Sequence, residues 1–294
     1  MLRRARLLLF GSGFFFGLLP VFTRLATRAP GGMSGPQVAL IRYLFGVIIV
    51  GALFGARPGT FKPVRHGLLV SRGLFGGLAG LLYFGALALI PAGEATLLNT
   101  TFPIWAVIIS ILFLGERPRV HLLMALAVAS VGVFLVLRGN HTALALGRGQ
   151  LLAILSAVSG GAAVTNVRAL RATDNTPTIF FAFSAGGALV SIPFVLGSWT
   201  ATPSVWVFAL VAALVALLAQ MLMTEAYGEL SVAEAALWQQ LTPVMSFLLG
   251  MFIGERVTSL AALGVAVSIF GVVYGSLFGT EKTQSNSIGT GSAG

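Results

Sequence analysis

Long apolar stretches, separated by short groups of charged residues, Gly and Pro, run along the whole chain. Each stretch is close to the roughly 20 residues that an α-helix needs to cross a bilayer. The apolar residues follow one another continuously, whereas the strands of a membrane barrel alternate in polarity over about 10 residues. The pattern therefore predicts membrane-spanning helices. The predicted spans lie near residues 5–27, 34–56, 67–90, 92–114, 119–138, 148–171, 175–197, 203–227, 231–254 and 258–278.

The amino-acid composition predicts the same class of protein. Of the 294 residues, 57% are hydrophobic and 9% are charged, whereas charged residues make up about 25% of an average soluble domain. The connections between the predicted spans have only a few residues and leave no room for a soluble domain. We therefore predict an all-α integral membrane protein with ten transmembrane helices, surrounded by the lipid bilayer.

The positive charge of the chain is unevenly divided between the two sides of the predicted bundle. The formal net charge is +10, and clustered positive charge is one signature of nucleic-acid binding. If the N-terminus is inside the cell, however, twelve Lys and Arg residues lie on the cytoplasmic side and five on the other. This bias is typical of membrane topology, so we predict both termini in the cytoplasm and no nucleic-acid partner. The cytoplasmic group includes Arg72, and the five outer residues are Arg24, Arg28, Arg138, Arg148 and Arg256.

An internal repeat divides the chain into two halves. The segment EATLLNTTFPIW at 94–105 recurs as EAALWQQLTPVM at 234–245. The tripeptide GER follows at 115–117 and again at 254–256. Glu, Ala, Leu and Pro recur in register, so the two segments occupy equivalent positions in two related halves.

Each half has an odd number of predicted spans, so the second half crosses the membrane in the opposite sense. Inverted repeats of this kind are typical of secondary transporters. We therefore predict two inverted five-helix repeats, at 1–140 and 141–278, around a central cavity. The polar, Gly- and Ser-rich segment 279–294 is predicted to be a disordered tail.

The predicted fourth and ninth helices carry amides and prolines at matching positions. The amides are Asn99 and Gln239, and Pro103 and Pro243 each remove one backbone hydrogen bond from the helix. Polar groups in a membrane helix face the bundle interior or a watery cavity, because contact with lipid is costly. These four residues therefore predict a substrate site at two helix breaks. The alternative is that the amides bridge neighbouring helices and the prolines serve packing.

Aromatic and polar residues on nearby predicted spans are further candidates for the same site. Aromatic side chains can form walls around an apolar part of a ligand. Lone aromatic residues more often face lipid or the core, so packing is the alternative for each of them. The candidates are Tyr83, Phe102, Trp105 and Trp238, with Asn166 on the sixth span as a polar candidate.

Arg42 and Glu225 are the charged candidates. We identify Arg42 as the one basic residue well inside a span. Burial of an arginine costs roughly 2.5 kcal/mol or more on insertion scales, so Arg42 should face water, an acidic partner or an anionic ligand, unless it extends to the membrane surface. Glu225, near the end of the eighth span, is the candidate for proton coupling. Glu94 and Glu234 are interpreted as stabilising helix starts, with a capping box at 231–234.

The inventory of reactive side chains argues against an enzyme. The chain has no Cys, its only Asp is Asp174 in a loop, and His66, His121 and His141 all lie at the ends of predicted spans. Intramembrane aspartyl, zinc or Ser/Lys chemistry needs residues that the predicted membrane core does not contain. We therefore predict no catalysis, no metal site and no cofactor.

The repeated segments, from GEATLLNTTFPIW to LGERP and from AEAALWQQLTPVM to IGERVT, resemble the paired EamA domains of the drug/metabolite transporter superfamily. The likeness is nearest to YddG-type bacterial exporters of amino acids. It implies ten helices around a central cavity, alternating access, and export across the bacterial inner membrane. By this resemblance the cavity positions fall on Tyr83, Asn99, Phe102, Trp105, Trp238 and Gln239.

The resemblance implies a small-molecule substrate, with amino acids, including aromatic ones, as the expected class. Nucleotide-sugar or multidrug carriage within the same superfamily, a channel and a non-transporting structural protein are the alternatives. The protein is expected to function as a monomer. The choice between passive transport and proton antiport stays open at this point.

Overall fold

The computed structural model describes residues 2–87, 89, 92–138, 147–195, 199, 201–250 and 258–278. The predicted tail at 279–294 lies outside the described residues, as does the second GER tripeptide at 254–256. Within these ranges the chain forms α-helices and one 3-10 turn, and no strand is present.

The helices of the first half follow the predicted spans closely. They are α1 (Leu2–Arg28), α2 (Gly35–Ala56), α3 (His66–Leu87), α4 (Ala92–Asn99), α5 (Phe102–Leu114) and α6 (Val120–Arg138). The helices of the second half are α7 (Arg148–Leu170), α8 (Thr176–Ser191, continued by the 3-10 turn Ile192–Phe194), α9 (Pro203–Ala226), α10 (Val232–Gln239), α11 (Leu241–Gly250) and α12 (Ser259–Phe278).

The predicted fourth and ninth spans are each broken into two helices. In the first half the break consists of Thr100 and Thr101, between α4 and α5. In the second half Gln240 separates α10 from α11. A proline lies in the first turn after each break, with Pro103 as the second residue of α5 and Pro243 as the third residue of α11, and it has no N–H to donate to the preceding turn. The predicted interruptions are therefore present at matching positions.

Length and apolarity qualify six helices of the described chain as membrane spans, namely α1, α2, α7, α8 with its 3-10 turn, α9 and α12. Shorter apolar helices run over Phe102–Leu114 and Val120–Val136. The all-helical, membrane-spanning class predicted from composition is confirmed by these helices.

Side chains at the helix starts follow the capping rules. The hydroxyl of Ser34 accepts a hydrogen bond from the backbone N–H of Gln37, and the Gln37 side chain accepts one from the N–H of Ser34. At the start of α10, Ser231 accepts from the N–H of Glu234 at 3.2 Å. The Glu234 carboxylate instead accepts from Arg6 of α1 at 2.9 Å. The predicted capping box is thus half formed, and Glu234 links two distant helices.

Glycine permits close packing between two pairs of helices. A Cβ on Gly132 of α6 would lie 2.3 Å from the backbone nitrogen of Ser268 in α12, and one on Gly271 would lie 2.7 Å from the backbone nitrogen of Ala129. Gly132 and Gly271 are equivalent positions in the two repeats. The α6 and α12 backbones therefore approach each other through matching glycines.

A G-x-x-x-G pair in α3, Gly73 and Gly77, packs in the same way. A Cβ on Gly73 would lie 2.7 Å from the carbonyl oxygen of Ala182 in α8, and one on Gly77 would lie 3.1 Å from the carbonyl oxygen of Gly186. The α3 helix therefore packs against α8 through small residues.

An apolar cluster fills the end of the bundle at which α1 begins and α9 ends. We call it the closed end. Tyr227, which follows α9, is fully buried within it, and its hydroxyl accepts a hydrogen bond from Nε2 of Gln239. The buried members of the closed end are Ala5, Leu9, Leu69, Ala106, Val164, Val167, Leu170, Ile179, Met223, Ala226, Tyr227, Leu230, Val232 and Ala235.

Candidate functional site

A cavity of about 330 Å³ lies next to the closed end and is lined by residues of both repeats. It extends from Arg72 and Met223, near the closed end, to Tyr83 on α3 and Ser246 on α11. The two helix breaks border it through Thr100 and Gln240. Its polar lining residues also include Thr96, Asn99, Ser156, Gln220, Gln239 and Thr242, and its aromatic ones are Phe16, Tyr43, Tyr83, Phe102 and Phe183.

Asn99, Gln239 and Gln240 line the cavity, and all three also donate to side chains of neighbouring segments, Gln239 to the hydroxyl of Tyr227. Nδ2 of Asn99 donates to the hydroxyl of Ser156 on α7 at 2.7 Å, and that hydroxyl donates to the carbonyl of Ala79 at 2.7 Å. Nε2 of Gln240 donates to Ser130 of α6 at 2.6 Å. The two interpretations of these residues, as cavity lining and as bridges between helices, therefore apply together.

Three of the eight predicted substrate contacts lie away from the cavity lining. Trp238 packs between two apolar clusters, and Asn166 donates from Nδ2 to Ser71 of α3 at 2.8 Å. Trp105 packs against α7, where a Cβ added to Gly161 would lie 2.9 Å from the Cβ of Trp105. The other five, and both predicted helix-break prolines, line the cavity: Tyr83, Asn99, Phe102, Gln239, Arg42, Pro103 and Pro243.

Two arginines line the cavity among the described residues, and only one of them was expected there from the sequence. Arg42 is there as predicted, but Arg72 is only 3% exposed and also lines the cavity. The interpretation of Arg42 as the one basic residue well inside a span is therefore wrong. Arg72 lies six residues after the start of α3 at His66, and its position within the predicted third span was the available signal.

Glu225 lies in a network of polar and charged side chains and does not line the cavity. Its Oε2 accepts from Thr176 at 2.5 Å and from Nη2 of Arg171 at 3.1 Å. Nη2 of Arg4 is 3.8 Å from its Oε1. These partners show Glu225 joining α1, α8 and α9 beside the closed end, and proton coupling through it stays a prediction.

The first GER tripeptide contributes a carboxylate that holds the closed end together. Both carboxylate oxygens of Glu116 accept from the backbone N–H of Val232, at 3.2 and 3.0 Å, where α10 begins. Nε of Arg168 lies 3.5 Å from Glu116, and Nη1 of Arg168 donates to the carbonyls of Tyr227 and Gly228 at 3.1 and 3.2 Å. This arrangement ties α5, α7, α9 and α10 together at one point.

Replacing Glu116 by Gln is expected to change how stability depends on pH. Burial raises the pKa of Glu116, and the N–H of Val232 and the charge of Arg168 offset this only in part. The folded protein therefore binds this proton more tightly than the unfolded chain does. The contribution of Glu116 to stability is full below its ordinary pKa and declines as the pH rises through the raised pKa.

We therefore expect the melting temperature of the wild type, relative to that of Glu116→Gln, to fall as the pH rises above the ordinary pKa of a glutamate, about 4.3. Thermal unfolding in detergent measures both melting temperatures at each pH. The difference between them cancels the contribution of the other titratable groups, which both proteins share. Parallel pH profiles would contradict the assigned role of burial at Glu116.

No group of three or more His, Cys, Asp or Glu side chains suited to a metal ion occurs among the described residues. The cavity is lined by amides, hydroxyls, aromatic rings and two guanidinium groups.

Known proteins resemble this chain over most of its length. The pseudopaline exporter CntI of Pseudomonas aeruginosa strain UCBPP-PA14 is 29% identical over 235 residues, which cover 76% of this chain and 81% of that protein. An uncharacterized transporter of Helicobacter pylori strain J99 is 24% identical, with coverage of 86% and 87%. A crystal structure with 21% identity superimposes with a TM-score of 0.77, covers 94% of this chain and 97% of the other, and shares the fold.

The model of the EamA-like transporter family matches this sequence twice, at residues 3–138 and 147–276. Two matches in tandem agree with the internal repeat found in the sequence. The chain therefore belongs to the EamA-like transporter family of the drug/metabolite transporter superfamily and is a multi-pass membrane transporter.

Proposed function

We propose that this protein exports amino acids, including aromatic ones, and similar small metabolites by alternating access. It does so as a monomer in the inner membrane of a bacterium, with both termini in the cytoplasm. The name of the Pseudomonas aeruginosa relative, an exporter, supports export as the direction of transport. The uneven distribution of Lys and Arg supports the proposed orientation.

The observation that carries this proposal is the cavity at the two helix breaks. Its volume of about 330 Å³ is at the lower end of the roughly 300–1,000 Å³ found for small-molecule sites, which favours an amino acid over a nucleotide sugar. Aromatic rings such as Phe102 and Tyr83 suit an apolar side chain. Amide and hydroxyl groups such as Asn99 and Thr242 suit the polar end of the same ligand.

Ten crossings follow if each broken pair of helices is one span. The pairs α4 with α5 and α10 with α11 then join the eight other long helices. With the N-terminus in the cytoplasm, the closed end is the cytoplasmic end. The structure is then a state in which the cavity is shut off from the cytoplasm, and export requires the closed end to open.

Counterflow in proteoliposomes tests the proposal. Vesicles loaded with unlabelled L-amino acids should take up labelled L-phenylalanine, L-methionine and L-threonine in a saturable way, and the D-isomers should compete weakly. Uptake that does not saturate would favour a channel. Failure of all amino acids with folded protein would discard amino-acid export, and nucleotide sugars, cationic drugs and pseudopaline would be the next probes.

Truncation of Phe102 should weaken exchange of phenylalanine specifically. Phe102 lines the cavity, and loss of about 1.4 kcal/mol of apolar contact raises the half-saturation concentration about tenfold. Phe113 lies on the same helix but is 79% exposed, so Phe113→Ala is the matched control. Equal half-saturation concentrations for Phe102→Ala and Phe113→Ala would remove Phe102 from the site.

A further inference from the structure

Arg72 is buried beside the cavity without an acidic partner. Arg72 is 3% exposed, and its Nε has no hydrogen-bond partner among the described residues. Its guanidinium carbon lies 4.4 Å from the ring centroid of Phe183, which also lines the cavity. Arg72 therefore presents charge to the cavity and does not extend to the membrane surface.

Arg42 presents a second positive charge to the same cavity. Its guanidinium carbon lies 4.9 Å from the ring centroid of Tyr43. The rings of Tyr43 and Phe183 are in edge-to-face contact, with centroids 5.4 Å apart. Each arginine therefore stacks on one member of a single aromatic pair, and the two guanidinium groups share one part of the cavity.

Another hydrogen-bond donor lies in this part of the cavity. Gln220 also lines it, and its Nε2 is buried with no partner within the described part of the chain. Among the described residues that line the cavity there is no Asp and no Glu. Within the described residues no carboxylate forms an ion pair with Arg42 or Arg72.

Contact with an aromatic ring is a weak substitute for an anion. A cation–π contact stabilises a buried guanidinium by less than the penalty of removing that ion from water. Burial of the Arg72 guanidinium without a carboxylate partner among the described residues is thus costly in the empty protein. Arg42 is partly buried and donates from Nη2 to the hydroxyl of Tyr43 at 3.5 Å, and it adds a second positive charge to the same cavity. A ligand that brings negative charge removes this cost.

We propose that Arg42 and Arg72 bind carboxylate groups, and that the preferred substrates are net anions carrying more than one carboxylate. This inference rests on the proposed function, because it specifies the kind of amino acid or derivative that the same cavity takes. Guanidinium and carboxylate form paired, charge-assisted hydrogen bonds. A neutral zwitterion would satisfy one arginine and leave the other unpaired, so acidic amino acids and their derivatives are favoured.

L-Glutamate and L-glutamine form the matched test pair, because they have nearly the same shape and differ by one charge. In counterflow with the wild type, the half-saturation concentration for labelled glutamate should be at least about tenfold lower than that for glutamine. In Arg72→Gln this preference should vanish through loss of glutamate exchange, while glutamine exchange persists. Arg72→Lys should restore part of the preference. Arg65 lies at the protein surface, where its Nη1 donates to the carbonyl of Ala169, and Arg65→Gln should behave as wild type.

Thermal unfolding of the unliganded protein distinguishes a binding role from a structural one. Arg72→Gln removes a buried unpaired charge and should raise the melting temperature, whereas loss of a structural arginine would lower it. Glutarate should raise the melting temperature of the wild type, its neutral diamide should not, and Arg72→Gln should not respond to either.

Each outcome decides a separate point. If neutral amino acids exchange as well as glutamate, the anion proposal fails and amino-acid export stands. If no amino acid exchanges but glutarate stabilises the wild type and not Arg72→Gln, the anion site stands and amino-acid export fails. If Arg72→Gln lowers glutamate and glutamine exchange equally, or lowers the melting temperature, Arg72 is structural and the proposal is wrong.

Discussion

Replacing Gly132 by alanine is expected to destabilise the protein by about 2–3 kcal/mol, because overpacking of a tight contact costs about this much. The added Cβ would stand 2.3 Å from the backbone nitrogen of Ser268 and 2.7 Å from the carbonyl oxygen of Gly264. Backbone atoms cannot rotate away as a side chain can, so α6 and α12 must separate as whole helices.

Gly55→Ala is the matched control for Gly132→Ala. Gly55 also lies in a helix, near the end of α2, but no atom lies within 4 Å of where its Cβ would be. In thermal unfolding in detergent, the melting temperature of Gly132→Ala should be lower than that of the wild type, and the melting temperature of Gly55→Ala should not be lower. Equal melting temperatures would show that the α6–α12 interface adjusts freely, and would contradict the close packing described here.

The substitution Arg168→Ala is expected to loosen the closed end. It removes the donor to the carbonyls of Tyr227 and Gly228 and leaves the Glu116 carboxylate without its cation. Breaking a fully buried ion pair costs about 3–5 kcal/mol. The Arg168 side chain is 35% exposed and that of Glu116 is 16% exposed, so solvent screening reduces the expected loss to about 1–3 kcal/mol.

Loosening of the closed end can be measured by chemical labelling, because the chain has no cysteine. Met223 lines the cavity and belongs to the buried cluster beside it. A single cysteine in Met223→Cys should react faster with a membrane-impermeant maleimide, applied from the N-terminal side, when Arg168→Ala is also present. Arg65→Ala removes an exposed arginine near the same end and should leave the rate unchanged. Equal rates in all three proteins would mean that Arg168 does not hold the closed end shut.

The helix breaks could be predicted from sequence because their cause is local. Pro103 and Pro243 lack a backbone N–H, and the repeat of an amide and a proline at equivalent positions pointed to a shared structural role. The helices could be predicted from the alternation of apolar stretches with short polar connections, because this pattern is also local. These features depend on residues within one turn or one span.

Which side chains reach the cavity could not be predicted in the same way. Trp105 and Trp238 lie close to the same helix breaks as Phe102 and Gln239, yet helix rotation points them away from the lining. Rotation is set by neighbours such as Gly161 of α7, which only the folded bundle brings into contact. Arg72 is the opposite case. Its position within the third predicted span could be read from the sequence, but it was assigned to the cytoplasmic charges, and its burial was therefore not predicted.

The two cavity arginines have a consequence for the energetics of transport. Because the carrier returns to its starting state after each cycle, the net charge moved equals the charge of the substrate. For a substrate of charge −1, an inside-negative potential of 100 mV favours outward movement by about 2.3 kcal/mol, which corresponds to an equilibrium concentration ratio of about fifty. An anion held by Arg42 and Arg72 would thus be exported by the membrane voltage alone. Transport driven by the membrane voltage requires no titratable carboxylate in the cavity, and Glu225 lies outside the cavity lining.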